Sequence, residues 1–104
     1  MEYNIQLTDE FIEGIDEICY YISSTLKSPV ASNKLRQKVM YTILTLEKSP
    51  RMFTKIEKFS KTKKQYRRIV VNNYVILYTI DEEKKTIYIA HIYYQGRNYI
   101  DNLF

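Results

Sequence analysis

The sequence predicts an α+β domain of two layers in the order β-α-α-β-β-β, with an N-terminal helix hairpin packed on a mainly antiparallel twisted sheet. Three observations predict it. Apolar residues recur at helical spacing through the first half, and they change to dense β-branched and aromatic runs in the second. The chain has 104 residues with only two Gly and two Pro, so residues 1–104 form a single domain with short connections. With 45% apolar and 27% charged residues it reads as globular, which excludes collagenous and disordered classes, and no window approaches the roughly 18 apolar residues of a membrane span.

Tyr3 to Leu7 alternate apolar and polar, as a strand with one buried face does, and Thr8 then offers a hydroxyl to cap a helix. That first helix carries Phe11, Ile12, Ile15, Ile18, Cys19, Ile22 and Leu26 on its apolar stripe. Asp9, Glu10, Glu13, Asp16 and Glu17 crowd its first turns, where the helix dipole favours negative charge. Ser28-Pro29 pairs a capping residue with proline at the first helical position, and Leu35, Val39, Ile43 and Leu46 stripe a second helix that stops near Ser49-Pro50. The short connection makes the pair an antiparallel hairpin. Tyr66 to Val71, Tyr74 to Asp81 and Thr86 to Tyr94 then read as three strands. Asn72-Asn73 and the polar run from Asp81 to Lys85 supply the turns of a meander. The helices cover one sheet face, and the open face is where function is sought.

The net charge of +4 is unevenly spread. Residues 1–50 carry five basic and seven acidic side chains, whereas residues 51–104 carry eleven and five. Between 51 and 68, Arg51, Lys55, Lys58, Lys61, Lys63, Lys64, Arg67 and Arg68 face only Glu57. Such density suits an acidic partner, protein or nucleic acid, or else a solvated loop that keeps the chain soluble. Arg67 and Arg68 are adjacent on a strand, so they point to opposite faces and one of them is structural. Alternation along the last strand puts Ile87, Ile89, His91 and Tyr93 on one side and Tyr88, Ala90, Ile92 and Tyr94 on the other. Small Ala90 suits a helix contact, which assigns His91 to the open face. His91 is the only histidine, and with no carboxylate partner in view it reads as structural more readily than as a general base. Most of the eleven tyrosines read as strand packing.

The acidic N-terminus MEYNIQLTDE has none of the zones of a secretory signal, and Cys19 as sole cysteine permits neither an intrachain disulfide nor a cysteine-based zinc site. A reducing cytoplasm is expected. The chain contains no GxGxxG, P-loop, HExxH or nucleophile elbow, and the acidic residues of the first helix lack metal-ligand spacing, so no metal or cofactor is expected.

Ile-Asp-Glu-Ile-Cys-Tyr-Tyr-Ile (15–22), Leu-Glu-Lys-Ser-Pro (46–50), Tyr-Arg-Arg-Ile (66–69), Asn-Tyr-Val-Ile-Leu-Tyr (73–78) and Tyr-Tyr-Gln-Gly-Arg-Asn-Tyr (93–99) follow in an order and spacing that resembles the RelE/ParE superfamily of bacterial type II toxin-antitoxin systems. The resemblance implies a small cytoplasmic growth-inhibiting toxin, associated with plasmid stabilization. A cognate antitoxin would wrap it through a helix and an extended segment, and operator DNA would be reached only through that antitoxin. RelE-like members cleave messenger RNA in the ribosome, and ParE-like members inhibit DNA gyrase. The ribonuclease branch typically has an arginine where this chain has Val75, and a second arginine or histidine where an ungapped reading puts Gln95; neither supplies a cation. The ParE-like ending commonly reads Gly-Arg-Arg-Asp, of which Arg97 survives while Gly96 takes the other arginine position.

The resemblance thus leans toward gyrase inhibition by binding, without enzymatic activity. A ribosome-dependent endonuclease and a non-toxic antitoxin-binding module stand as alternatives. Arg67, Arg68, His91, Arg97 and Tyr99 are the candidate target-site residues. Lys55, Lys58, Lys61, Lys63, Lys64, Arg67 and Tyr93 are the candidate partner contacts.

Overall fold

A computed structural model describes residues 2–59 and 63–96 of the chain. Two helices pack on one face of a five-stranded mixed sheet of order β1-β5-β4-β3-β2. The strands are β1 (Asn4–Leu7), β2 (Thr54–Phe59), β3 (Gln65–Val71), β4 (Tyr74–Asp81) and β5 (Thr86–Tyr94), and the helices are α1 (Asp9–Tyr20) and α2 (Pro29–Leu44). β1 runs parallel to β5, and the other pairings are antiparallel.

Thr8 fixes where α1 begins. Its hydroxyl oxygen accepts the Phe11 N–H at 3.1 Å and donates to the Ala90 carbonyl at 2.7 Å, so one side chain both caps the helix and ties it to β5. Phe11, Ile15 and Cys19 are buried beneath α1. Gly14 permits the close approach of this helix to β5, since a Cβ there would lie 2.9 Å from Ile92 Cγ2 and 3.3 Å from the Ile92 carbonyl oxygen. α1 stops at Tyr20, short of the expected Leu26. A single π turn (Tyr21–Thr25) follows, closed by Leu26 N–H on the Tyr21 carbonyl at 3.1 Å, and Lys27 at φ 54° reverses the chain. The run Ser23-Ser24-Thr25 explains the early stop, because short hydroxylated side chains compete for backbone groups, as Ser23 does at the Tyr20 carbonyl.

Pro29 occupies the first position of α2, but the Ser28 side chain makes no capping bond; the Ser28 carbonyl instead accepts Ser32 N–H. Small Ser32 and Cys19 meet between the helices, where the Ser32 hydroxyl donates to the Cys19 carbonyl at 2.9 Å. Leu35, Val39, Ile43 and Leu46 complete a core with Ile69, Val71, Ile76, Tyr78, Ile87, Ile89 and Ile92 from the sheet.

Two expectations need correction. The basic segment before residue 65 contains a strand, β2, which the alternation Thr-Lys-Ile-Glu-Lys-Phe conceals because lysines occupy positions that an inner strand gives to apolar residues. Charge is tolerated there because β2 is an edge, where lysine also discourages pairing with other chains. In addition, β5 is not evenly alternating. The register with β4 shifts between Leu77 and Tyr78, whose partners are His91 and Ile89, so Ala90 is an extra residue. Ile87, Ile89 and Ile92 therefore share the helix-side core, while Ala90 packs in a second cluster with Tyr66, Val75 and Leu77 on the opposite face. Ala90 is a residue of that second cluster, not a helix contact.

Candidate functional site

The bulge in β5 decides what the open face presents. It leaves His91 on that face two positions from Tyr93, and the rings stack with centroids 5.5 Å apart at 16°. Tyr66 of β3 flanks the imidazole on the other side at 6.1 Å and 57°. Beneath lies the apolar floor of Val75, Leu77 and Ala90, with Ile56 and Tyr93 packed against it. Arg68 stands opposite Leu77 on the same face and is exposed.

Arg67 points the other way. Its guanidinium donates to the Phe53 carbonyl at 2.7 Å and to the Arg51 carbonyl at 3.4 Å, so it clasps the chain leading into β2. Lys55 is its cross-strand neighbour and shares a cleft with Arg51, Arg67 and Glu82. The proposed basic set therefore divides between two faces: Lys55 and Arg67 with the helix side, Arg68 with His91 and Tyr93. Lys63 and Lys64 are exposed just before β3. Lys58 lies on β2, but its side chain, together with Lys61, Arg97 and Tyr99, falls outside the described residues.

No carboxylate neighbour of His91 is visible in the sequence, whereas the fold supplies one. α1 passes β5 so that Glu10, Glu13 and Glu17 line one wall of a cleft and His91 and Tyr93 line the other. Burial pushes the His91 imidazole below its ordinary 6.5, Glu10 opposes that shift, and Lys64 adds to it. The ring is therefore neutral near pH 7. Burial likewise pushes the Tyr66 phenol up, reinforced by Tyr93 and Glu10. A second polar group sits at the far end of the sheet, where the Tyr3 hydroxyl donates to Glu82 at 2.9 Å and Arg51 pairs with the same carboxylate.

The titration of His91 follows from this packing. As the only histidine it gives one resolved imidazole signal, whose NMR midpoint should lie below 6.5 and fall further in Glu10→Gln, which removes the opposing charge. Since the folded value is depressed, the unfolded chain binds the proton more readily. The contribution to stability is then complete above 6.5 and is lost as pH falls from there through the folded midpoint. A midpoint at or above 6.5 would contradict the packed placement.

Among the described residues no group of His, Cys, Asp and Glu is arranged to hold a metal ion, and no helix is long and apolar enough to cross a membrane. What the face offers is an aromatic row over a sealed apolar floor with basic groups at its rim.

A helix hairpin on one face of a β1-β5-β4-β3-β2 sheet is the fold of the RelE/ParE toxins. The chromosomal ParDE system from P. aeruginosa superposes with a TM-score of 0.71 at 14% identity, covering 89% of this chain and 96% of that one. The isolated E. coli RelE toxin gives 0.63 at 14% identity, with 96% and 92% covered. The archaeal RelE-RelB complex from Pyrococcus horikoshii OT3 gives 0.60 at 16% identity, with 93% and 99% covered. No curated protein matches the chain by sequence. The family described as "ParE toxin of type II toxin-antitoxin system, parDE" matches residues 5–99, and the chain belongs to it.

Proposed function

We propose that this toxin arrests growth by binding its target, with DNA gyrase as that target, and that a cognate antitoxin neutralises it in the cytoplasm. The observation that carries the reading is Val75. At the position where the ribonuclease branch places a cation, this chain has a valine with no exposed surface, sealed among Tyr66, Leu77 and Ala90. Gln95, at the second such position, is an exposed turn residue whose N–H donates to the Asn73 carbonyl at 2.7 Å. Neither of these two positions therefore supplies a cation to stabilise a departing RNA oxygen.

Inducing the chain while following plasmid supercoiling and message integrity in one culture tests this. The expected result is growth arrest with loss of negative supercoiling, inhibition of purified gyrase by the purified chain, and intact translated messages. Cleavage within translated messages at normal supercoiling would overturn it in favour of a ribosome-dependent endonuclease. Absence of arrest would replace it with a non-toxic binding module.

A further inference from the structure

α2 carries apolar residues on two faces, where a helix that covers a sheet needs them on only one. Its buried stripe of Ser32, Leu35, Val39 and Ile43 faces the core. At about 100° of turn per residue, Val30, Lys34, Gln37, Tyr41 and Leu44 fall on the opposite side, aimed away from the sheet. All five are exposed, with Val30 at 65%, Tyr41 at 74% and Leu44 at 56%. Their spacing of four, three, four and three residues is the repeat by which one helix interlocks with a second. No described residue covers this stripe.

The stripe complements itself when a second copy is laid across it antiparallel, with Gln37 at the centre. Val30 then meets the partner's Leu44, Lys34 meets the partner's Tyr41, and the two Gln37 side chains meet each other. This is the symmetry of an isologous dimer, in which a contact from one position to another is repeated in reverse. Each pairing has a physical reason: aliphatic groups pack together, an ammonium lies over the face of a phenol ring, and two side-chain amides exchange donor and acceptor. Charge selects the same arrangement. α2 has three cations and no acidic residue, and Arg36 is held by Asp16 at 3.0 Å and Lys38 by Asn72 at 2.8 Å, so Lys34 is the cation that a pairing must accommodate. Parallel helices would set Lys34 against Lys34, whereas the antiparallel crossing gives it an aromatic ring. We propose that the outer face of α2 is a self-association surface on which two copies of this chain pair antiparallel about Gln37. From Val30 to Leu44 the stripe runs about 21 Å, and at a helix diameter of about 10–12 Å it covers a few hundred Å² per copy, below the roughly 800 Å² of a standard interface. The dimer is therefore weak and forms as concentration rises. Since α2 lies on the helix side of the sheet, pairing leaves the His91 face of both copies open, and the proposal does not depend on the toxin's target.

Analytical ultracentrifugation of the purified full chain, from low to high micromolar concentration, tests this. The expected result is a reversible shift from monomer toward dimer. Tyr41→Asp and Leu44→Asp alter exposed residues, so both should fold, with circular dichroism as the check, and each is expected to weaken association about 10-fold or more. Glu83→Lys, exposed in the β4–β5 turn, should change it less than about 2-fold. The two-fold axis has its own test. Gln37→Glu and Gln37→Lys each place like charges on the axis and should dimerise poorly alone, whereas an equal mixture of the two should associate at least as well as the wild type. A chain that stays monomeric throughout the range would overturn the proposal, as would a dimer that survives both Tyr41→Asp and Leu44→Asp. A dimer that these variants break but that the charge mixture fails to restore would overturn the antiparallel crossing about Gln37. A monomeric chain whose binding to the product of the neighbouring small open reading frame is lost in Leu44→Asp would overturn it by assigning the stripe to that protein.

Discussion

Replacing Tyr78 with phenylalanine is expected to destabilise the fold by about 1–3 kcal/mol, the cost of stranding a buried carbonyl. Tyr78 has no exposed surface, and its hydroxyl donates to the carbonyl of buried Pro50 at 2.7 Å. Its cross-strand neighbour Arg67 holds the Phe53 carbonyl at 2.7 Å, so two adjacent side chains secure the segment that carries the chain from α2 into β2. Tyr78→Ala adds a cavity, for which ~3–5 kcal/mol is typical of large aromatic truncations, a large share of the ~5–15 kcal/mol that holds a domain folded. Burial pushes the Tyr78 phenol up to about 12, partly offset by Arg67, from an ordinary 10.0. The raised value means that the contribution of the buried, neutral phenol is complete below pH 10.0 and is lost as pH rises through about 12. Denaturant unfolding at pH 8 and at pH 11 measures this: the gap between wild type and Tyr78→Phe should be widest at pH 8 and narrower at pH 11. Tyr78→Phe combined with Arg67→Ala should depart from additivity, because both act on one segment. Equal midpoints for wild type and Tyr78→Phe would show that the segment is held by other contacts.

Arg67 illustrates how far the sequence reaches into the site. Adjacent strand residues must diverge, so the sequence alone divides Arg67 from Arg68. Which of the two lies inward depends on where the Pro50–Phe53 carbonyls fall, and no local pattern encodes that. The helix signals were legible because they are local: Thr8 sits three residues before Phe11, and the apolar stripe of α1 repeats at its own period. Asn72 at φ 54° likewise closes the β3–β4 hairpin as its short polar side chain allows. The bulge at Ala90 was hidden because a register shift belongs to two strands at once, and period-two reading of β5 alone puts Ile87 and Ile89 on the open face with His91, and Ala90 on the helix side, each the wrong one. The approach of Glu10 to His91 was hidden for the same reason, since it depends on α1 lying close against β5 at Gly14 and Ile92, across a long stretch of sequence.

The sharpest division on the open face lies between two valines that are Cα partners across β3 and β4. Val70 is 47% exposed, whereas Val75 is fully buried. Val70→Arg should be tolerated within about 0.5 kcal/mol, as surface substitutions usually are. Val75→Arg must place a guanidinium where Tyr66, Leu77 and Ala90 already close the space. Overpacking costs about 1–3 kcal/mol, and a charge without a buried partner adds several more, so a loss of ~3 kcal/mol or more is expected. At ~4–8 °C per kcal/mol for a domain of this size, that lowers Tm by more than about 10 °C. The variant should not acquire cleavage of translated messages, because restoring a cation at this position breaks the floor on which the aromatic row stands. Thermal unfolding of both variants beside a ribosome-dependent cleavage assay decides the matter. A Val75→Arg chain that melts with the wild type and cuts messages would mean that the floor is open to substrate, and the binding-only reading of this toxin would fall with it.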